Sequence, residues 1–148
     1  DHSRCVGCGR CVDIFPKEAI QSSFDAKSEI LNAKIAEYTK AILAGRPNFH
    51  INFVIDVSPF CDCHGENDAP IVPDIGIFAS FDPVALDTAC AEAVLKAPIL
   101  QGSMLDEVEH THGDHFTDIS PNTAWRTQLE HGQAIGIGSM TYELIEVK

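Results

Sequence analysis

Residues 5–16 read Cys5-Val6-Gly7-Cys8-Gly9-Arg10-Cys11-Val12-Asp13-Ile14-Phe15-Pro16 and place a cysteine at every third position from 5 to 11. This spacing matches the first part of C-x2-C-x2-C-x3-C-P, a run that holds cubane iron–sulfur clusters. Glycines between the cysteines let the backbone curl tightly and aim N–H groups at the cluster sulfides, and the proline turns the chain away. The stretch therefore predicts an iron–sulfur loop ligated by Cys5, Cys8 and Cys11.

Phe15 stands where this run has its fourth cysteine. In two-cluster ferredoxins that cysteine ligates the other cluster, so its absence leaves the first three ligands in place. The fourth iron of a 4Fe-4S cluster then needs a remote ligand, a water or a partner. A 3Fe-4S cluster, a zinc ion and a site without metal are the alternatives. Zinc sites usually come as two paired CxxC knuckles, and only one run is present here, which favours iron.

A second group of metal-ligand residue types follows a predicted strand. Residues 56–68 include Cys61, Cys63 and His64 together with several carboxylates. A C-x-C pair is a natural chelator, and loops at strand ends commonly carry functional sites. The alternative is a polar surface loop. We predict that Cys61, Cys63 and His64 are metal ligands, and that one of the two thiols completes the coordination of the remote iron.

Composition limits the possible functions. The chain has 148 residues, 45% of them apolar, and a net charge of −12. Nucleic acid and anionic membrane surfaces are excluded as main partners because both bind clustered Lys and Arg. No apolar stretch is long enough for a membrane span, and no signal peptide precedes the cysteines, so a cytoplasmic location is expected. Because the chain starts almost at the metal motif, we expect a C-terminal fragment whose missing N-terminal region is a partner.

Hydrophobic periodicity predicts alternating helices and strands, and hence a single compact domain of α/β or α+β class with a ferredoxin-type loop at its start. We assign 1–24 to the cluster-binding segment and 25–148 to the α/β domain. The predicted elements are a helix at 26–44, a strand at 49–57, a strand at 75–80, a helix from Asp82-Pro83 to before Pro98, a helix from Ser120-Pro121 to Gly132, and a strand at 140–147.

Within these elements, three expectations concern burial. The first strand is predicted to bury the face formed by Phe49, Ile51, Phe53, Ile55 and Val57. Cys90 is predicted to be a buried structural thiol. Residues 99–120 lack periodicity and contain a His-rich tract, which we interpret as a solvated loop rather than a metal site.

Two blocks of sequence together carry a family resemblance. They are residues 5–20 and the set Asn52-Phe53, Asp56, Cys61-Asp62-Cys63, Ala69-Pro70-Ile71-Val72-Pro73-Asp74-Ile75-Gly76-Ile77 and Asp82-Pro83-Val84-Ala85-Leu86-Asp87. The chain resembles the uncharacterised iron–sulfur centre proteins, domain-of-unknown-function family 362. The resemblance implies cluster binding at Cys5, Cys8 and Cys11 and redox work, but no known reaction.

The leading hypothesis is an iron–sulfur electron-transfer or redox-accessory module with a redox protein partner. The first alternative is a metal-dependent enzyme, oxidoreductase-associated, in which Asp56, His64, Asp68 and Asp74 supply acid or base groups. The second is a domain with a purely structural metal, zinc or iron. The sequence assigns no reaction, substrate, potential or oligomeric state.

Overall fold

A computed structural model describes residues 28–61 and 67–147. This part of the chain contains five helices and two strands. They are α1 (Ser28–Leu43), β1 (His50–Val54), β2 (Gly76–Ser80), α2 (Pro83–Lys96), α3 (Met104–Glu107), α4 (His115–Ile119) and α5 (Trp125–Ala134). The strands pair antiparallel, with Phe53 opposite Ile77. Helices on an antiparallel pair make the fold α+β, as the predicted class allows. The predicted segment 1–24 lies outside the described residues.

Helix α2 is the central element, and its start is confirmed as predicted. Asp82 is the N-cap and its Oδ1 accepts a hydrogen bond from the Ala85 N–H at 2.9 Å, while Pro83 occupies the first turn. The cap satisfies an N–H that has no partner within the helix, and proline at this position loses no hydrogen bond. The other carboxylate oxygen of Asp82 accepts from the Ser139 N–H at 2.8 Å. One side chain therefore both starts α2 and holds the chain after α5.

The hydrophobic core lies between the sheet, α2 and the segments around 71 and 105. Its fully buried side chains are Ile71, Val72 and Leu105. The other buried members of the cluster are Val54, Leu86, Cys90 and Val94. Side chains from β1, from α2 and from the segment that connects β1 to β2 all belong to this core. The core therefore holds the connecting segment against the end of β1.

Helices α1 and α5 extend the fold on the side of α2. Gly132, near the end of α5, lies against Val84 in the first turn of α2, so α5 runs antiparallel to α2. Asn32 in α1 donates to the Ala124 carbonyl at 2.8 Å, and Lys40 donates to the Ile135 carbonyl. Helix α1 therefore runs parallel to α5. Their close approach buries Ala36.

The predicted buried face of the first strand is wrong. Phe49, Ile51 and Phe53 are more than half exposed, whereas Val54 on the opposite face is buried. The reason is that α2 covers only one side of the two-stranded sheet. Asn52 on that side donates to Asp87 Oδ1 of α2 at 2.8 Å, which brings the polar face inward. The apolar stripe of α1 is likewise exposed at Leu31, Ile35, Tyr38 and Ile42.

Three further expectations need correction. Residues 99–120 are not a solvated loop throughout, because they contain α3 and α4 and the fully buried Leu105. Helix α5 begins at Trp125 and not at Ser120-Pro121. Residues 141–147 form no strand and pair with none of the described residues, although the period-two pattern predicted a strand. The helix at 26–44 and the strand at 75–80 are confirmed within two residues.

None of the helices in the described part combines the length and apolarity that a membrane span requires.

Candidate functional site

The loop after β1 leaves the strand through a backbone turn. Asp56 has a φ of 48°, in the left-handed region that only a few non-glycine residue types adopt readily. Its N–H donates to Asp74 Oδ1 at 3.0 Å, and the Ile75 N–H donates to the Val54 carbonyl at 2.9 Å. These two bonds join the start of the loop to its end. The loop is thus closed at the strand.

The returning half of the loop is anchored in the core. The Ile71 N–H donates to the Val57 carbonyl at 2.8 Å, and the Ile71 carbonyl accepts from the Leu100 N–H at 2.9 Å. Ile71 and Val72 are almost completely buried. Burying two such side chains contributes about 2 kcal/mol each, so the base of the loop is held firmly.

Asn67 closes a narrow neck beyond this base. Its Oδ1 accepts from the Phe60 N–H at 3.2 Å, and its Nδ2 donates to the Ser58 hydroxyl at 3.0 Å. The amide therefore bridges the two sides of segment 62–66, which carries Cys63 and His64. The backbone positions of 60 and 67 are fixed on either side of these residues.

Cys61 is the one predicted metal ligand within the described residues, and it is exposed at the neck. The other predicted ligands, Cys5, Cys8, Cys11, Cys63 and His64, lie outside the described residues. Within residues 28–61 and 67–147 no three His, Cys, Asp or Glu side chains come together as a metal site. A metal centre in this protein would have to draw ligands from outside those two ranges.

Helix α1 begins near the end of the fold at which the loop after β1 leaves the strand. Asn32, in the first turns of α1, bonds to the Ala124 carbonyl at the start of α5. The Trp125 ring packs against Phe116 at a tilt of 58°, with ring centroids 5.4 Å apart, and His115 of α4 donates to the carbonyl of Ala97 at the end of α2. Because Val54 and Ile71 pack with Val94 near this end of α2, α1 begins at the same end of the fold at which the loop leaves β1.

The carboxylates that the sequence offered as acid or base groups take part in loop structure. Asp74 accepts from the Asp56 N–H, and Asp68 Oδ1 accepts from the Ala69 N–H at 2.7 Å. These hydrogen bonds to backbone N–H groups give the two aspartates a structural role in the loop. His64, the fourth residue of that hypothesis, lies outside the described residues.

Cys90 is buried in α2 as predicted. Burial raises the pKa of its thiol, while the Asn52 side chain, 3.6 Å from Sγ, acts in the opposite direction. A thiol held protonated is a poor nucleophile and a poor metal ligand. Cys90 therefore provides a matched control for the exposed Cys61.

Sequence reasoning missed a buried carboxylate in the His-rich tract. Asp118 Oδ1 accepts from the His112 N–H at 2.8 Å, and its Oδ2 lies 3.3 Å from His110 Nδ1. His112 Nδ1 is 3.4 Å from Oδ1. The two imidazoles thus flank one carboxylate that is almost fully buried. The signal for this arrangement was the H-x-H pair followed by an aspartate, but spacing alone did not show that Asp118 faces inward.

We expect Asp118 to make stability depend on pH in acid. The His112 N–H holds the pKa of the Asp118 carboxyl below its ordinary value, with burial opposing it and the two imidazoles assisting. A lowered folded-state pKa stabilises the protein above the unfolded value of about 3.9, and this contribution is lost as the pH falls through the folded pKa. Asp118→Asn should therefore be less stable than the wild type at pH 7, and the gap should narrow below about pH 4.

Urea unfolding at several pH values measures this difference. Glu109→Gln is the matched control, because Glu109 is an exposed acid in the same tract. The unfolding free energy of Glu109→Gln, plotted against pH, should run parallel to that of the wild type. If the unfolding free energy of Asp118→Asn also runs parallel to that of the wild type, Asp118 does not contribute to the loss of stability in acid.

The described fold and loop define an α+β protein with a thiol at the neck of a loop held on the core. The sequence profile of the family described as "Domain of unknown function (DUF362)" matches residues 6–92. The match covers more than half of the chain, so the chain belongs to the DUF362 family. Membership of domain-of-unknown-function family 362 is thereby confirmed, whereas the iron–sulfur part of the resemblance stays a prediction because the description gives no function. Neither the curated proteins nor the solved structures contain a significant match.

Proposed function

We propose that this chain is an iron–sulfur protein that holds a cubane cluster at Cys5, Cys8 and Cys11 and serves as an electron-transfer or redox-accessory module. The observation that carries the proposal is the spacing of these cysteines with the following Pro16. Three thiolates at this spacing can each bind one iron of a cubane cluster, and the intervening glycines allow the backbone to approach the cluster closely. When bound, such a cluster supplies one-electron redox chemistry at a potential that its surroundings set.

The end of the fold at which α1 begins supports a shared site. Helix α1 begins at the end of the fold at which the loop leaves β1, and the Asn67 bridge holds Cys61 at the neck of that loop. Cys61 or Cys63 is therefore the proposed remote ligand for the fourth iron, to which the three cysteines of the run supply no thiol. A non-cysteine fourth position, and a 3Fe-4S cluster, are the alternatives within the same proposal.

The acidic charge of the chain suits docking on a basic redox partner. Net charge of −12 attracts positively charged patches and accelerates encounter at low ionic strength. Thiolate ligation also suits a reducing compartment, for which the cytoplasm is the proposed location.

The test is the iron and acid-labile sulfide content of anaerobically purified protein, with visible and EPR spectra. We expect about four iron and four sulfide per chain and a reversible one-electron signal. Zinc without sulfide would replace the redox function with a structural or hydrolytic metal. Protein that binds neither metal after anaerobic reconstitution would refute the proposed function.

The remote ligand is tested by Cys61→Ser and Cys63→Ser. We expect one of the two substitutions to lower the iron content from about four to about three per chain, with a changed EPR signal, because a cubane that loses its fourth ligand releases that iron. Cys90→Ala removes a buried thiol from α2 and should leave both readouts unchanged. Full iron and an unaltered EPR spectrum in both serine variants would remove this loop from the coordination sphere.

A further inference from the structure

The outer edge of β2 has no strand partner in the described part of the chain. There, β2 pairs with β1 alone, so the N–H and C=O groups on its other side have no ladder. Residues 142–147 run past this edge without a backbone hydrogen bond to it. An unpaired strand edge is a ready template for another strand.

A groove separates the two segments. It has a volume of about 670 Å³ and lies between residues 75–80 and residues 142–147. Ala85, Leu86 and Ala89 of α2 form its apolar floor. Strand β2 has five residues, which span about 17 Å. The groove thus has the length of a short strand and an apolar surface that could receive one face of it.

The far wall of the groove is anchored where it begins. The Tyr142 hydroxyl donates to Glu92 Oε2 of α2 at 2.7 Å, and the Ser139 N–H donates to Asp82 Oδ2 just before the wall. These two hydrogen bonds hold the start of the wall beside α2. Part of the ordering cost of binding is thereby met before any partner arrives.

The charge along the groove selects the partner. Glu143 and Glu146 are exposed on the far wall, and among residues 28–61 and 67–147 no Lys, Arg or His lines the groove. A second copy of this acidic chain would bring like charges together. A strand that carries Lys or Arg would instead bring positive charge next to this acidic wall.

The outer face of the same sheet is also uncovered. Phe49, Phe53, Ile77 and Phe81 are each more than half exposed, and Ile51 lies among them. Taking roughly 200 Å² for a large apolar side chain, this face presents on the order of 500 Å² of apolar surface, near the upper limit for a monomer. A standard interface covers about 800 Å² per partner. The groove and this face together approach that area.

We propose that β2 accepts an extended strand from a second polypeptide, with apolar side chains facing α2 alternating with lysines or arginines that face Glu143 and Glu146. The strand adds to the sheet by backbone hydrogen bonds, and its alternating side chains provide the specificity. Among the described residues, this surface includes neither Cys61 nor the loop neck.

The probe is a labelled, capped hexapeptide of alternating lysine and valine, titrated with the full chain and followed by fluorescence anisotropy. We expect saturable binding that protects the amides of β2 from hydrogen exchange. Glu143→Gln with Glu146→Gln should weaken binding about fivefold, the effect of losing exposed ion pairs. Glu107→Gln with Glu109→Gln, a matched pair of exposed acids away from the groove, should leave it unchanged.

Two control peptides test the mode of binding. N-methylation of the central amides removes backbone donors and should abolish binding, and an alternating glutamate and valine peptide should not bind. Equal binding of all peptides, or no protection of β2, would overturn strand addition. β2 amides that are fully protected in the monomer without peptide would show that the chain fills its own groove. Self-association lost in the groove variant would identify a second copy as occupant, and either result would overturn the proposal.

Discussion

Cys8→Ala removes the bound iron, from about four atoms per chain to fewer than one, if Cys5, Cys8 and Cys11 hold a cubane cluster. The loss is expected to be complete because Cys8 is the middle ligand of a run with three residues from one ligand to the next. Neither neighbour can move to take its place within so short a loop. Colorimetric iron and sulfide determination after anaerobic reconstitution measures the effect.

The matched control for Cys8→Ala is Cys90→Ala. Both variants lose one thiol, but Cys90 is buried in α2, where burial raises its pKa. We expect Cys90→Ala to retain the full iron and sulfide content. A Cys8→Ala protein with four iron per chain would show that the cluster, if present, is not ligated by this run.

Leu105→Ala lowers the free energy of unfolding by about 3 kcal/mol, within the usual range of about 2–5 kcal/mol for a core leucine. Leu105 is fully buried at the start of α3 and packs with Ile71, Val72 and Val94. Truncation loses apolar burial and leaves a cavity beneath the base of the loop after β1. For a chain of this length the melting temperature should fall by roughly 6–12 °C.

The exposed Leu144 gives the matched control for this prediction. Its side chain is 65% exposed beside the groove, so Leu144→Ala should change the unfolding free energy by less than about 0.5 kcal/mol. Urea unfolding of both variants decides the comparison. Equal effects of the two substitutions would mean that the segment around 105 does not belong to the core.

Helix positions could be predicted from the sequence because their signals are local. Asp82-Pro83 supplies a cap and a first-turn proline, and the start of α2 follows from these two residues alone. The end of α1 follows in the same way from Gly45, which adopts a φ of 68°. Such signals act within one turn and do not depend on what packs above them.

Burial could not be predicted in the same way, because an alternating pattern does not say which face is covered. Phe49, Ile51 and Phe53 are the more apolar face of β1, yet α2 lies on the side of Asn52 and Val54. The polar side of the strand is chosen because the Asn52 amide finds Asp87 and Cys90 there. A pattern of single residues does not reveal such a pairing across 35 positions of sequence.

The features of the candidate site also divide into those with local sequence signals and those that depend on tertiary contacts. The position of a thiol-bearing loop after β1 could be predicted from the strand and the C-x-C pair. The Asn67 bridge and the burial of Asp118 could not, since each depends on partners that the fold brings together. The prediction of a final strand was wrong because residues 141–147 have a strand-like pattern but form no ladder with any strand in the described part of the chain.

The two carboxylate oxygens of Asp82 give the molecule a cooperative unit. One oxygen binds the first turn of α2 and the other binds the Ser139 N–H, and Gly138 lies so close that a Cβ there would overlap the carboxylate. The first turn of α2 and the chain after α5 thus share one anchoring side chain, and displacement of the Asp82 carboxylate releases both. In native-state hydrogen exchange these two segments, 57 residues apart, should open as one unit with a common free energy.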